Sequence, residues 1–256
     1  MLQKTEALVL HSLRYGEQKL VVDMFSRLHG RLSFIVPVPK SSRAKMKKQY
    51  FQPLTLLDIE ADLRPQAQLQ RLHDATLLLP LPSLQGDPSK LAISLFCSEF
   101  LYHALRDEQQ NEPLFCYLRN SIEWLDRSSR GVANFHLVFL MHLSRFLGFY
   151  PNLEDEGRGT RDEGRGAKDE VGGRLFDLRE GQFCTRVPMH TDFLAPDEAA
   201  HIRLLMRMDY ATMHLFRLNR QERNRILDVL LHYYRLHLPA LPELRSLGVF
   251  RELYAE

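Results

Sequence analysis

The chain has 256 residues, 45% of them hydrophobic, with 34 Lys and Arg against 32 Asp and Glu and a formal net charge of +2. This is an ordinary globular composition, enough for one large domain or two modest ones with a proper core. No stretch approaches the roughly eighteen uninterrupted apolar residues of a membrane span, and the opening "MLQKTEALVL" lacks the basic-then-apolar order of a signal peptide, so a soluble cytoplasmic protein is expected.

The first eighty residues read as short strands: "TEALVLHSL", "KLVVDMFS", "GRLSFIVPV", "QPLTLLDIE" and "AQLQRLHDA". Alternation places Leu32, Phe34, Val36 and Val38 on one face of a strand, and Leu54 with Leu56 on one face of another. "RYGEQ", "LHGR" and a Ser-rich basic stretch supply the turns between them. Five such strands in succession predict a small closed or sandwiched β unit. An OB-type barrel fits the count, and an SH3-like barrel or a sandwich fits the pattern nearly as well.

After Pro82 the pattern becomes helical. Asp87 and Pro88 supply an N-cap acceptor and a proline at the first helical position, and Leu91, Leu95, Tyr102 and Leu105 follow at helical spacing. A second helix is predicted from Glu112 to about Arg127, with Leu114, Leu118, Ile122 and Leu125 as its stripe. A third carries Phe135, Phe139, Leu143 and Phe146 and stops near Gly148, with Pro151 beyond it. Asn219 and Glu222 form a capping-box pair ahead of Ile226, Leu230 and Tyr233. These stripes are expected to be core.

Between them, residues 154–174 repeat a seven-residue unit, "EDEGRGT", "RDEGRGA", "KDEVGGR". Almost no apolar residue occupies it, so a coiled coil is excluded and a flexible solvated insertion over about 152–175 is expected. Each Arg there has acidic neighbours, which favours a tolerated expansion over an arginine-glycine nucleic-acid tail.

Charge is unevenly placed. Residues 1–60 hold ten Lys and Arg against five Asp and Glu, and Lys40, Arg43, Lys45, Lys47 and Lys48 crowd into "PVPKSSRAKMKKQYFQP" with no acid among them. Like charges collected at the tip of a hairpin have no structural use, which points to a polyanion such as nucleic acid. Tyr50 and Phe51 follow at once and are read either as barrel core or as stacking groups for bases. In the helical part, Arg203 and Arg207 lie one turn apart, and Arg217, Arg220, Arg223 and Arg225 cluster at a helix start; a solvated face explains them as readily as a partner site.

Enzyme signatures are scarce. Phosphate-loop, nucleophile-elbow, H-E-x-x-H and dinucleotide motifs are all missing. Among the 11 histidines, His136 and His142 and also His232 and His237 have spacings that put neither pair on one helix face, so each is read as a boundary residue. Cys97, Cys116 and Cys184 are scattered and form no C-x-x-C, which argues against a disulfide framework or a zinc site. No metal, cofactor or catalytic residue is expected. The alternatives are a nucleic-acid-modifying enzyme that uses scattered His and Asp, and an RNA-binding OB module.

The order of these features resembles the RecO family of bacterial recombination mediators. "EALVLHSLRYGEQKLVVDMFSRLHGRLSFIVP" followed by a Lys/Arg-rich loop is similar to the N-terminal domain of that family. "LSRFLGFYPNL", "FDLREGQF" and "LHYYRLHLPALPELRSLGVFREL" match its later layout. The resemblance implies an α+β protein, with an N-terminal five-stranded OB-fold β-barrel over 1–80 and a mainly α-helical domain over 81–256. It implies a non-enzymatic, nucleoid-associated protein of DNA repair that binds single- and double-stranded DNA and anneals complementary strands. With RecR it would help load RecA onto single strands coated by single-strand-binding protein. DNA contact then falls to Lys40, Arg43, Lys45, Lys47 and Lys48, with Arg14 and Arg31 as additions. Arg203 and Arg207 are set against the acidic C-terminal tail of single-strand-binding protein. Many family members carry two zinc-binding cysteine pairs after the "GFYPNL" turn; here the repeat fills that space and only Cys184 stands near a matching position, so no structural zinc is expected.

Overall fold

Alternation of apolar and polar residues builds the first sheet. In the computed structural model, which describes residues 2–38, 46–64, 67–129, 131–152 and 174–253, five strands run β1 Leu2–Tyr15, β2 Lys19–Ser26, β3 Gly30–Pro37, β4 Leu56–Asp62 and β5 Gln70–Leu77. They close in the order β1-β2-β3-β5-β4, with β4 returning to β1. All pairs are antiparallel except β3 with β5. This is the OB arrangement, and it excludes the sandwich and SH3-like readings. β1 pairs with β4 over Leu2–Leu8 and with β2 over Ala7–Tyr15, and a bulge between Val9 and His11 interrupts the second register. Closure removes every free edge from this sheet. Val9, Val22, Met24, Phe34, Val36 and Ile59 fill the interior.

Two strands begin later than expected. Leu54 adopts φ 58° and is buried, its N–H donating to Val9 O at 2.8 Å, so residues 52–55 form a turn and Leu54 does not share a strand face with Leu56. The Gln70 side chain accepts from Arg64 N and donates to Arg64 O and Ala67 O, closing the β4–β5 loop before β5 begins.

Three helices follow, α1 Pro82–Gly86, α2 Pro88–Ala104 and α3 Glu112–Arg127. Asp87 caps α2 as expected, accepting from Ser89 N and Lys90 N. Asp126 of α3 accepts from Ser83 N and Leu84 N at the start of α1. Lys90, only 4% exposed, donates to Ser83 Oγ and to Asp126 O, which ties the three helices together. Leu91 and Leu95 were expected in the core but are 41% and 42% exposed. The buried face of α2 lies one position round, at Ile93, Phe96, Cys97, Phe100 and Leu101, because β1 takes that side through the Ser98 hydroxyl, which donates to Leu10 O.

The described residues form two compact units, 1–132 with 240–256, and 133–239. The change from strand to helix near residue 80 is thus a different division from that into units, since α1 to α3 belong with the barrel. The second unit holds α4 Phe135–Phe146, β6 Leu175–Asp177, β7 Gln182–Cys184, β8 Phe193–Leu194, α5 Pro196–Arg207 and α6 Arg220–His237, with a sheet in the order β7-β6-β8. Its capping box is present, Glu222 N donating to Asn219 Oδ1 and Asn219 N to Glu222 Oε2. His136, read as a boundary residue, is buried on α4, and burial lowers its pKa to about 3 and keeps it neutral. The chain then returns to the first unit as α7 Ser246–Leu253. There Glu99 accepts from Arg245 N and Ser246 N, and Phe250 stacks on Phe96 at 4.9 Å. The repeat at 154–174 lies, but for Arg174, outside the described residues.

Two glycines separate backbone strain from crowding. Gly16 and Gly30 have φ of 65° and 67°, but a Cβ on Gly16 meets open space, whereas on Gly30 it would lie 2.4 Å from the Gln109 carbonyl carbon. Gly16→Ala should cost about 1–2 kcal/mol in urea unfolding from left-handed strain alone. Gly30→Ala should cost about 1–3 kcal/mol more, because the α2–α3 turn must shift.

Candidate nucleic-acid interface

The register of β1, β2 and β3 sets the outer face of the barrel in three rows. Tyr15 pairs with Lys19 and Lys19 with Pro37; Leu13 with Val21 and Val21 with Ile35; His11 with Asp23 and Asp23 with Ser33. Directly paired residues share a face, and the intervening Leu20, Val22 and Val36 point into the core.

The third row is closed. Arg31 Nη2 lies 3.2 Å from Asp23 Oδ1, Ser33 donates to the same carboxylate, and His11 Nδ1 stands 3.8 Å from it. The Arg31 guanidinium also donates to Tyr102 O at 3.1 Å and sits 4.7 Å over the Tyr102 ring, while the His11 ring lies 4.6 Å from that ring. Arg31 N donates to Glu108 O beside the close approach at Gly30. Burial alone would raise the Asp23 pKa, but His11, Ser33 and the Arg31 charge outweigh it and hold the carboxyl below its ordinary range. Arg31, expected to face DNA, therefore docks α2 on the barrel, with a side chain 12% exposed.

The first two rows are open. Leu13 is 59% and Tyr15 62% exposed, and Lys19 is exposed; Arg14, which pairs with Leu20 and so is not in these rows, is exposed as well. The basic stretch connects β3 to β4, strands that do not pair, so it is a crossover and not the tip of a hairpin. Val38 N at its start donates to Gln18 O in the β1–β2 turn. At its far end a 3-10 turn, Lys48–Phe51, inserts Phe51 into the barrel and packs Tyr50 against the core, and Ser12 Oγ donates to Phe51 O at 2.6 Å. The aromatics are thus core, as one of the two readings had it. Lys47 and Lys48 are exposed, while Lys40, Arg43 and Lys45 lie outside the described residues. Among the described residues no carboxylate pairs with Arg14, Lys19, Lys47 or Lys48. Tyr15, Lys19 and Leu13 were not singled out from the sequence. The available signal was "SLRYGEQK", where apolar residues alternate right up to a turn, farther than the core requires.

In the second unit, Arg203 on α5 lies 4.3 Å over the Phe183 ring, and Arg207, one turn on, is exposed. Arg223 donates to Leu218 O and Arg225 pairs with Glu198 at 2.6 Å, so these two belong to the fold. Among the described residues no group of three or more His, Cys, Asp or Glu is placed to hold a metal ion, and none of their helices is long and apolar enough to cross a membrane.

A five-stranded OB barrel with a helical region after it defines an OB-fold protein whose barrel end carries cations that have no acidic partner among the described residues. Residues 1–81 match the model for the Recombination protein O N terminal family and residues 85–247 that for the Recombination protein O C terminal family. The chain is 48% identical over 255 residues to the DNA repair protein RecO of Phocaeicola vulgatus, covering 100% of both chains. It is 48% identical to that of Bacteroides fragilis, covering 99% of this chain and 100% of the relative. It is 32% identical over 254 residues to that of Azobacteroides pseudotrichonymphae, with 99% and 100% covered. The chain belongs to the RecO family of DNA repair proteins.

The Arg31 network should show in pH dependence. The folded Asp23 carboxyl titrates below its unfolded value of about 3.9, so its contribution is complete above that pH and is lost as pH falls through the folded value. Urea unfolding should find Asp23→Asn less stable by about 1.5–3 kcal/mol near neutrality, with the gap closing below about pH 4.

Proposed function

We propose that the protein is a non-enzymatic recombination mediator of DNA repair that binds single- and double-stranded DNA and anneals complementary strands. With RecR it helps load RecA onto single strands coated by single-strand-binding protein, in the cytoplasm at the nucleoid. Family membership supports the class of function. The observation that carries the DNA contact is the set of cations at one end of the barrel, Arg14, Lys47 and Lys48, without acidic partners among the described residues.

Physically the mechanism is charge screening. Two DNA strands repel through their phosphates, and a protein that neutralises some of them lowers the cost of approach and releases counterions. Lys40, Arg43 and Lys45 complete the cationic crossover in this reading, and residues 1–80 act as the nucleic-acid-binding domain. Arg31 acts indirectly, by holding α2 away from the two open rows. A family partner with an acidic tail fits Arg203 and Arg207 on α5: the first guanidinium is stacked on an aromatic ring and the second, one turn away, is exposed.

Replacing Lys40, Arg43, Lys45, Lys47 and Lys48 by alanine should weaken binding to labelled single-stranded DNA and flatten the plot of log affinity against log salt by up to about 3.5, at roughly 0.7 per lost contact. Anisotropy across a salt series measures this, and an unchanged slope removes the crossover from the interface. In a pull-down with single-strand-binding protein, Arg203→Ala/Arg207→Ala should lose capture that depends on the partner's terminal tail; capture equal to wild type removes α5 from that role.

A further inference from the structure

We infer that the cleft between α2 and α7 of the first unit binds a small organic cation, an ammonium group carried on an apolar body, and that Glu99 is its anionic anchor. The DNA contacts described above play no part in it.

The cleft is a cavity of about 640 Å³ bordered by α2, α7, the bulged part of β1 and the turn at 52–55. Small-molecule sites commonly enclose roughly 300–1,000 Å³ behind mostly apolar walls with a few polar groups. Leu10, Ala92 and Phe250 are buried in these walls, while Pro53, Leu95 and Val249 are exposed. Leu95, which the helical stripe had placed in the core, thus lines this space. Apolar walls left open to water mark an interaction surface.

One charge is fixed among them. Glu99 Oε1 accepts from Arg245 N at 2.9 Å, and Oε2 accepts from Ser246 N at 2.8 Å and from the Ser246 hydroxyl. Burial alone would raise the pKa of this carboxyl, but the Ser246 hydroxyl and the two N–H groups outweigh it and hold the group below its ordinary range. It is therefore an anion near neutrality. Among the described residues no Lys or Arg forms an ion pair with it. His103 lines the cleft one turn further along α2, but burial lowers its pKa and leaves the ring uncharged near neutrality. Glu243 and Arg245, both exposed at the α7 side, offset each other in charge. His11 stands beside the Asp23 carboxylate and packs on Tyr102. The cleft thus combines apolar walls with one negative charge that the fold does not neutralise. A carboxylate has about four acceptor sites, and three are taken here, all by neutral donors. An ammonium group supplies the missing charge, and an apolar body attached to it covers the walls. An acidic ligand would be repelled, and a polyamine would leave the walls in water.

The test is an NMR titration of the isotope-labelled full chain with three probes. Tryptamine is the cation on an apolar body, indole-3-propionate puts an anion on the same ring system, and spermidine is a cation without an apolar body. Tryptamine should shift the amide signals of α2 around Ser98 to His103 and of α7 around Ser246 to Phe250. It should bind at least about fivefold more tightly than either of the other two. Glu99→Gln, which keeps an acceptor for the start of α7, should lose at least about fivefold in tryptamine affinity. Leu95→Lys puts a competing cation at a position that is 42% exposed, so it should abolish tryptamine binding and still give a cooperative urea transition. If Glu99→Gln unfolds more easily than wild type, Leu95→Lys decides alone. Absence of tryptamine shifts at α2 and α7 overturns the site, as does indole-3-propionate or spermidine binding as tightly as tryptamine. Undiminished tryptamine binding by Leu95→Lys, or by a stably folded Glu99→Gln, overturns it as well.

Discussion

The contact on which the first unit depends is the Arg31 guanidinium between the Asp23 carboxylate and the Tyr102 ring. Asp23 sits on the outer wall of a closed barrel, in a row that would otherwise face water. A buried carboxylate is costly unless a cation and hydrogen bonds meet it, and Arg31 with Ser33 does so. Once that guanidinium is fixed, Tyr102 and the end of α2 have one place to dock. Gly30 then allows the α2–α3 turn to approach more closely than any side chain would permit. The same contact decides which part of the barrel face is covered and which is open, so a buried ion pair sets the outline of an exposed surface.

Strand existence was legible in the sequence because the barrel interior imposes period two and the turns carry Gly, Asn-like polar residues or charge. Asp87, Asn219 and Glu222 announced their helix starts because capping is a local interaction, complete within four residues. What failed to be legible was set by partners far along the chain. Leu54 looked like a strand residue, but its turn is fixed by a backbone pairing with Val9. Leu91 and Leu95 looked like core, yet which face of α2 is buried was decided by β1 and α7. The basic stretch looked like a hairpin tip because β3 and β4 are neighbours in sequence; they are not neighbours in the sheet.

The candidate site divides the same way. Cation density is a property of sequence and pointed to the crossover at once. Arg31 could not be sorted from its neighbours by type, because its role comes from Asp23 and Tyr102, the latter 71 residues away. Tyr15, Leu13 and Lys19 were overlooked since a strand that alternates correctly raises no alarm. Their significance appears only with the register and with their exposure among the described residues.

Phe51 has a thermodynamic consequence for the crossover. Its ring is sunk in the barrel and its carbonyl is held by Ser12, so the backbone around Lys48 is immobilised when the chain folds. A cation on a limp chain surrenders conformational freedom at the moment it captures an anion. Lys48 has already surrendered the backbone share of it, while its exposed side chain keeps the rest. The anchor therefore converts folding free energy into preorganised positive charge, and it does so at the end of the crossover nearest the barrel wall.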